Sequence, residues 1–354
     1  MTKTALIFSP IYYRHNTGKR HPESSQRLHA IINELKKSNI LNQPSVSLIS
    51  PEKARIQDIE LIHGIEYIRL VEAVCKSGGG LLDLQDTVVS PESYEVALYA
   101  AGGAIKAVDF VMNRKFDNAF ALVRPPGHHA GRFRALGFCL FNNVAIAAAF
   151  LLKKFKLKRI LILDVDAHHG NGTQEAFYET DKVLYMSLHE DPTSFPGKGF
   201  MNETGKDEGQ GFNVNVPLPF ETTDIPYLSA IKKIVTPIAR EYRPQFILMS
   251  AGFDTHYFDP VGNLCLSAMA IQKVHQNTMQ LASQLCHGRL VSILEGGYNL
   301  RTIGKLAAST VATMSNTSYT FPDKTPKRSA RIESQAAKII DEVRNIQKAF
   351  WKIG

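Results

Sequence analysis

The sequence predicts a single α/β domain with a mostly parallel central sheet and helices on both faces. Short apolar runs of strand length alternate with longer stretches of helical length along most of the chain. This alternation is typical of parallel sheets whose strands are joined by crossover helices. Neither an internal repeat nor a break in composition marks a linker within the 354 residues. Because α/β enzymes often remain one unit at this length, we expect one domain over residues 1–354.

The first predicted elements set this pattern. Residues 5–8 form a strand, and residues 23–38 form an amphipathic helix whose apolar side chains fall on one stripe. Two further helices are predicted at residues 65–74 and 92–112. Small residues in the second of these helices allow a neighbouring element to pack closely.

Strands and helices then alternate as far as residue 314. The other predicted strands cover residues 119–123, 159–165, 183–188, 246–250 and 290–294. The other predicted helices cover residues 144–155, 226–242, 268–286 and 300–314. We interpret the irregular stretch 190–210 as a functional loop of the same domain.

The chain becomes polar after residue 315, and Pro322 and Pro326 interrupt this part. A final helix is predicted at about residues 332–352, where apolar residues recur at helical spacing. We expect this helix to pack on the motif-bearing core of about residues 4–315.

Composition excludes several classes of protein. Hydrophobic residues make up 44% of the chain and charged residues 21%, which argues against a disordered or fibrous protein. The net charge of +8 favours contact with anionic surfaces, but it is diffuse, and direct nucleic-acid binding is not predicted. The four cysteines include no CxxC pair, so we expect free thiols and a reducing compartment.

Targeting signals are not evident. The first apolar run ends at Ser9 and Pro10, which makes it too short for a signal peptide, and no stretch is long enough to span a membrane. We therefore expect a cytoplasmic protein, or a nuclear one if its substrates are histones. The sequence does not indicate an oligomeric state.

The segment 161–172 carries the strongest chemical signal. Asp164, Asp166 and His168 alternate along a predicted strand, so they should project from one face. A carboxylate and an imidazole two residues apart can bind one metal ion. A capped turn at the end of a strand is the alternative, but three metal-ligand types on one face of an apolar strand make it a poor explanation.

A further acid follows the predicted strand 246–250. Asp254 comes after Gly252 and, taken alone, would more often form an Asx turn. Beside the first segment, however, it is the natural third ligand. Two carboxylates and one histidine leave an open coordination position, as catalytic zinc sites require.

Two further strand ends carry groups suited to catalysis. His128 and His129 form a tandem pair, and imidazoles near a metal can transfer protons around neutral pH. Tyr298 follows two glycines, and its phenol can donate a hydrogen bond to an oxyanion, although in isolation it could equally be a packed aromatic. Because sites form at the carboxyl edge of open parallel sheets, we expect all four segments to converge there.

Together these residues resemble the zinc-dependent histone deacetylases of the arginase/deacetylase superfamily. The matching segments appear in the family's order, and they are HPESSQR from His21, RPPGHHA from Arg124, GFCLFNN from Gly137, DVDAHHGNGTQ from Asp164, SAGFD from Ser250 and EGGYNL from Glu295. The resemblance is to the class II-like and bacterial branch, because Asn171 stands where class I enzymes carry an aspartate.

The resemblance implies a catalytic role for several residues. It implies that one zinc ion per chain is held by Asp166, His168 and Asp254. His129 matches the general base and acid, His128 the neighbouring histidine that stabilises charge, and Tyr298 the tyrosine that stabilises the oxyanion. Asp164 matches the buried acid behind His128, and its backbone is expected to help hold a structural potassium ion. Asn171 matches the residue behind His129.

The resemblance also implies substrate contacts. Gly137, Phe138 and Phe195 match the walls around the lysine alkyl chain, and Gly297 is a further substrate-binding position. Val261 matches the mouth of the tunnel, and Arg27 matches an arginine beside the acetate exit channel. The implied reaction is hydrolysis of an acetylated protein or peptide.

The sequence fits three alternative functions less well. An arginase-like enzyme needs a second metal, but its acids are replaced here by Gly170 and His256. A pseudoenzyme should have a broken zinc set or lack the tyrosine, and this chain has neither defect. An acetylpolyamine or other small acetyl-amide could be the substrate, but polyamine deacetylases of this branch carry a glutamate where this chain has Val261. Asp259, Glu190, Asp191 or an acid of a partner chain could supply the missing charge instead.

Overall fold

A computed structural model describes residues 2–83 and 86–353. The predicted domain of residues 1–354 is therefore described except for positions 1, 84, 85 and 354. The strands are β1 (Thr4–Ile7), β2 (Val46–Ile49), β3 (Gly80–Leu81), β4 (Val88–Val89), β5 (Asn118–Ala121), β6 (Ile160–Asp164), β7 (Val183–Glu190), β8 (Asn213–Leu218), β9 (Phe246–Ala251) and β10 (Leu290–Leu294).

Eight of these described strands form one sheet, in the order β2-β1-β5-β10-β9-β6-β7-β8. Every neighbouring pair in this sheet is parallel. The short strands β3 and β4 form a separate antiparallel ribbon. The predicted α/β class with a mostly parallel sheet is therefore confirmed.

Helices flank the sheet on both sides. They are α1 (Gln26–Lys37), α2 (Ile56–Ile59), α3 (Ile65–Lys76), α4 (Ser93–Met112), α5 (Asn143–Phe155), α6 (Asn171–Phe177), α7 (Asp224–Ala230), α8 (Thr236–Tyr242), α9 (Ala268–Cys286), α10 (Ile303–Ser315) and α11 (Ala330–Gln347). Helix α4 packs on β1 and β5 and also contacts α5. Helix α10 packs on the same two strands but contacts α1 and α9 instead. Two separate helix groups that contact the same strands must lie on opposite faces of the sheet.

The central strands consist almost wholly of buried apolar residues. Asp164 at the end of β6 is paired with Ser250 in β9 and with Ser187 in β7. Leu294 at the end of β10 is paired with Ala251. Because the strands are parallel and in this register, the segments that follow β5, β6, β9 and β10 emerge at one edge of the sheet.

The two edge strands of the sheet, β2 and β8, were not predicted. In β8 the buried Asn213 and Asn215 interrupt the apolar pattern, and their side-chain amides donate to Gln174 at 2.9 and 2.8 Å. This partner lies in α6, so the two NH₂ groups find this acceptor only in the folded chain. The helix predicted at 226–242 is also interrupted, by a π-helical turn at Ile231–Val235.

The final helix, α11, packs on β8 and α7. Ala336, Ile340 and Val343 on one of its faces are buried in the core. Beyond the helix, the indole of Trp351 donates to the carbonyl of Gly211 at 2.9 Å. Within residues 2–83 and 86–353, no helix combines the length and the apolar character that a membrane span requires.

Candidate active site and metal centre

The carboxyl edge of the sheet brings Asp166, His168 and Asp254 together. One donor atom from each of these buried residues lies within 4.8 Å of the others. His168 Nδ1 lies 3.4 Å from Asp166 Oδ1 and 3.3 Å from Asp254 Oδ2. The strand itself ends at Asp164, so the predicted alternation along one extended strand is wrong for Asp166 and His168. A bend in the chain after β6, not the strand pleat, directs their side chains.

Local hydrogen bonds orient these carboxylates. The amide of His168 donates to Asp166 Oδ1 at 2.9 Å, and the amide of Gly296 donates to Asp166 Oδ2 at 2.8 Å. The amide of Ala167 donates to Asp254 Oδ1 at 2.9 Å. A Cβ at Gly296 would overlap the carboxylates of both aspartates, so only glycine permits this approach.

The electrostatics of this group fit a bound cation. Burial and the neighbouring charge of Asp166 both raise the pKa of Asp254, because two buried carboxylates repel each other. A divalent cation between them would remove that repulsion. Two carboxylates and an imidazole suit zinc and leave a coordination position open.

A pair of buried histidines lies beside this group, with ring centroids 4.0 Å apart. His128 Nδ1 lies 3.1 Å from Asp164 Oδ2, and His129 Nδ1 lies 2.8 Å from Asn171 Oδ1. Since an amide oxygen only accepts hydrogen bonds, Nδ1 of His129 carries the proton and Nε2 keeps its lone pair.

The two histidines differ in charge. Burial disfavours the charged form of His128, but Asp166 and Asp164 outweigh it and raise its pKa to about 10. Burial and then the charge of His128 hold the pKa of His129 well below its ordinary value of 6.5. The two pKa values are thus shifted in opposite directions, so a proton is favoured on His128 over His129.

Arg27 supports the loop that carries Tyr298. Its Nε donates to the carbonyl of Gly297 at 2.6 Å, and Nη2 donates to the carbonyl of Glu295. Its guanidinium lies 4.8 Å from the centroid of the Tyr298 ring. The fully buried Glu23 accepts from Arg27 Nη1 at 3.1 Å, so the arginine is fixed from both sides.

Glu23 also accepts from Arg124 Nε at 2.7 Å. Burial acts to raise the pKa of Glu23, but Arg124 and Arg27 outweigh it and lower that pKa to about 2. A buried ionic cluster thus joins the segment HPESSQR, which contains Glu23 and Arg27, to the segment RPPGHHA, which begins at Arg124.

A second buried acid, Glu295, joins three strand ends. It accepts hydrogen bonds from the amides of Gly127 and His128, at 2.7 and 3.2 Å, and from the Ser250 hydroxyl at 3.2 Å. Glu295, His128 and Cys139 form another group of potential metal ligands. Because Glu295 already accepts three hydrogen bonds, this group suits a structural role better than metal binding.

Aromatic rings lie close to the candidate catalytic residues and to the metal group, which consists of Asp166, His168 and Asp254. The ring of Phe195 lies 4.9 Å from His129 and 5.8 Å from His168, and the ring of Phe138 lies 5.7 Å from Tyr298. Gly137 lies so close to His129 and Phe195 that a Cβ there would contact both rings.

Val261 is half-buried on the loop after β9, and its amide donates to Asp259 Oδ1 at 3.1 Å. The sequence did not assign roles to Glu295 or Tyr185, and it indicated Asp259 only as an acid that could attract a cationic substrate. The hydroxyl of Tyr185 donates to Asp164 Oδ2 at 2.9 Å. An acid directly after a buried strand was a usable signal for Glu295. For Tyr185, which belongs to the apolar run of β7, the pattern contained no such signal.

Comparisons with known proteins bear on this arrangement. A family model for the histone deacetylase domain matches residues 21–314. A probable deacetylase of Archaeoglobus fulgidus is 37% identical over 358 residues, which cover 99% of each chain. Histone deacetylase 14, a chloroplastic protein of Arabidopsis thaliana, is 34% identical over 359 residues, which cover 95% of this chain and 84% of the relative.

A solved structure is also similar. The crystal structure of the HDA15 HD domain has a TM-score of 0.89 and 33% identity, and the match covers 99% of this chain and 95% of that one. The family resemblance inferred from the sequence motifs is therefore confirmed. The chain belongs to the histone deacetylase family, whose members are hydrolytic deacetylases of the arginase/deacetylase superfamily.

Proposed function

We propose that this chain is a zinc-dependent amidohydrolase that removes acetyl groups from acetyl-lysine side chains of proteins or peptides. The observation that carries the proposal is the buried group of Asp166, His168 and Asp254 with a neutral His129 and Tyr298 beside it. The names of the relatives, which are deacetylases and histone deacetylases, support it.

Asp166, His168 and Asp254 would hold one zinc ion per chain. When bound, zinc supplies Lewis acidity that polarises an amide carbonyl and lowers the pKa of water. A structural potassium ion near the backbone of Asp164 is part of the same proposal, and it rests on the family resemblance.

The two histidines have separate roles in this proposal. His129 accepts a proton from the attacking water at Nε2, because Nδ1 is engaged with Asn171, and later donates a proton to the leaving amine. The charged His128, held by Asp164, stabilises the negative charge that develops beside it. Asn171 orients His129 without adding charge, so it makes that imidazole less basic than a carboxylate would.

Tyr298 donates a hydrogen bond to the oxyanion formed from the substrate carbonyl. Burial raises the pKa of its hydroxyl well above 10, so the group stays protonated and able to donate. The guanidinium of Arg27 packs against the tyrosine ring and would restrict its orientation.

We expect the Tyr298→Phe variant to retain its fold and zinc but to lose about 10²–10³ in kcat, the effect of removing one oxyanion donor. Acetate release from an acetyl-lysine peptide measures the loss, and metal analysis of the same preparation shows whether zinc is retained. A variant with wild-type turnover would show that the tyrosine only packs.

The walls of the tunnel favour a lysine alkyl chain over a second cation. Gly137, Phe138, Phe195 and Gly297 would flank the methylene groups, and the apolar Val261 would lie at the mouth of the tunnel that the resemblance implies. A polyamine would place an ammonium against this valine and lose solvation there. The acetylpolyamine alternative is therefore not favoured.

Two acids in the segments around Val261 already accept hydrogen bonds from the protein. Asp259 accepts hydrogen bonds from three backbone amides. Glu190 accepts from the backbone amide and the side-chain amide of Asn263, at 2.6 and 2.9 Å. These hydrogen bonds orient both carboxylates within the protein, and the exposed Asp191 is the remaining candidate to attract a cationic substrate.

A comparison of kcat/KM for an acetyl-lysine peptide and for acetylspermidine tests the substrate class. We expect the wild type to prefer the peptide, and Val261→Glu to shift the preference toward the polyamine because it adds a charge at the mouth. Val261→Gln is the matched neutral control and should not produce this shift. A wild type that prefers acetylspermidine would overturn the proposed substrate class.

The remaining expectations stay predictions. These are the single domain over residues 1–354, a cytoplasmic or nuclear location, and the lack of direct nucleic-acid binding.

A further inference from the structure

We propose that Asp259 is a positioning residue that fixes Tyr298 for catalysis, an inference that rests on the proposed function. The acid lies on the loop after β9, whereas the tyrosine lies on the loop after β10. Asp259 does not belong to the metal group, and it would act on the reaction only through the loop that carries Tyr298.

The carboxylate of Asp259 accepts from both sides of the tyrosine's peptide unit. Its Oδ2 accepts from the amide of Tyr298 at 2.6 Å and from the amide of Asn299 at 3.0 Å. Its Oδ1 accepts from the amide of Val261 at 3.1 Å. Hydrogen bonds from amides to a carboxylate are roughly twice as strong as those to a neutral acceptor, so they fix the backbone at the tyrosine.

The residues before Tyr298 need such an anchor. Gly297 has a φ of +110°, and the two consecutive glycines leave this backbone free to adopt many conformations. On the glycine side, Asp166 accepts from the amide of Gly296, and Arg27 donates to the carbonyl of Gly297. Asp259 supplies the anchor on the other side of the tyrosine.

The loop that carries Asp259 is itself fixed. Glu190 accepts two hydrogen bonds from Asn263, and the side-chain amide of Asn299 donates to the carbonyl of Phe258 at 2.5 Å. Glu190 Oε1 also lies 3.7 Å from Nε2 of His168. The loop of residues 258–263 is therefore hydrogen-bonded at one end to Glu190, which lies beside the proposed metal ligand His168. Through Asp259 it is also hydrogen-bonded to the loop that carries Tyr298.

Loss of this anchor should affect turnover more than substrate binding. A displacement of about 1 Å in a catalytic group can cost about 10²-fold in rate. In Asp259→Asn, the side-chain NH₂ would face backbone amides that can only donate. We therefore expect kcat to fall by about 10-fold or more and KM to change little.

A double-mutant cycle with Tyr298→Phe tests whether Asp259 acts through the phenol. In the Tyr298→Phe background, Asp259→Asn should lower kcat by less than about twofold, because the hydroxyl that it positions is already absent. An equal loss in both backgrounds would overturn the inference. If Tyr298→Phe alone retained full activity, the tyrosine's part in the proposed function would fail first, and this inference would fail with it.

Asp181→Asn is the matched control, since Asp181 is an exposed acid that precedes β7, at the edge of the sheet opposite the candidate site. It makes the same charge change and should leave kcat unchanged. Zinc content should be equal in all variants, and a loss of zinc in Asp259→Asn would contradict a role through the tyrosine alone.

Hydrogen exchange in the wild type gives a test that does not depend on the folding of a variant. The amides of Tyr298 and Asn299 should exchange slowly even though they lie in a loop. Exchange at the rate of exposed amides would show that Asp259 does not hold them in solution, and the inference would fail.

Discussion

Asp166→Ala is expected to lose bound zinc and to lower kcat/KM by more than about 10²-fold. Changes to residues that merely orient metal ligands already cost about 10–100-fold in affinity or activity, and this change removes a ligand itself. It leaves one carboxylate and one imidazole, which are too few to hold zinc at a catalytic site. His168→Ala should behave in the same way.

Metal content per chain and acetate release from an acetyl-lysine peptide measure this effect. The wild type should hold one zinc ion, although iron or cobalt could replace it, because the donor set does not strongly exclude them. Asp181→Ala removes an exposed acid at the opposite edge of the sheet and should retain both zinc and activity. Two metals per chain, or full activity without any transition metal, would contradict the proposed centre.

The second large effect is expected for His129→Ala, which should lower kcat by about 10²–10⁴-fold, the usual contribution of general acid–base catalysis. Zinc should be retained, because His129 is not among the proposed ligands. His128→Ala should be milder, since its proposed role is electrostatic. His287→Asn, at an exposed position after α9, is a control that should leave turnover unchanged.

The pH profile adds a test of the same residue. A base acts in its neutral form, so a lowered pKa moves the acidic limb of kcat/KM toward lower pH. Because burial and His128 lower the pKa of His129, that limb should lie below pH 6.5. A zinc-loaded His129→Ala variant with near wild-type kcat, or an acidic limb that persists unchanged in it, would assign the base to another group.

Much of the candidate site could be predicted from the sequence because its residues follow buried strands. The apolar runs of β6, β9 and β10 mark where those strands end, and parallel strands end at one edge. Because β9 and β10 are neighbouring strands, this rule places the segment with Asp254 beside the segment with Tyr298. The direction of the Asp166 and His168 side chains does not follow from it, because a bend replaces the extended strand there.

The edges of the sheet and the supporting contacts could not be predicted in this way. Helix α1 begins at Gln26, three residues after the predicted start, and Glu23 instead pairs with Arg124 from the segment after β5. Strand β8 contains asparagines whose partner lies in α6. Both features depend on contacts between distant parts of the chain, which local periodicity does not encode.

The sequence by itself determined the class of the fold, the order of the motifs and the residue types gathered at the carboxyl edge of the sheet. Only the tertiary structure decided which further groups support them: Asp259 beneath Tyr298, Glu295 across three strand ends, and Tyr185 beside Asp164. The periodicity of apolar residues along one segment shows which face of that helix or strand is buried. A single sequence therefore indicates the buried face of each element. Hydrogen bonds between loops require the relative positions of several strand ends, and these are set only when the sheet has formed.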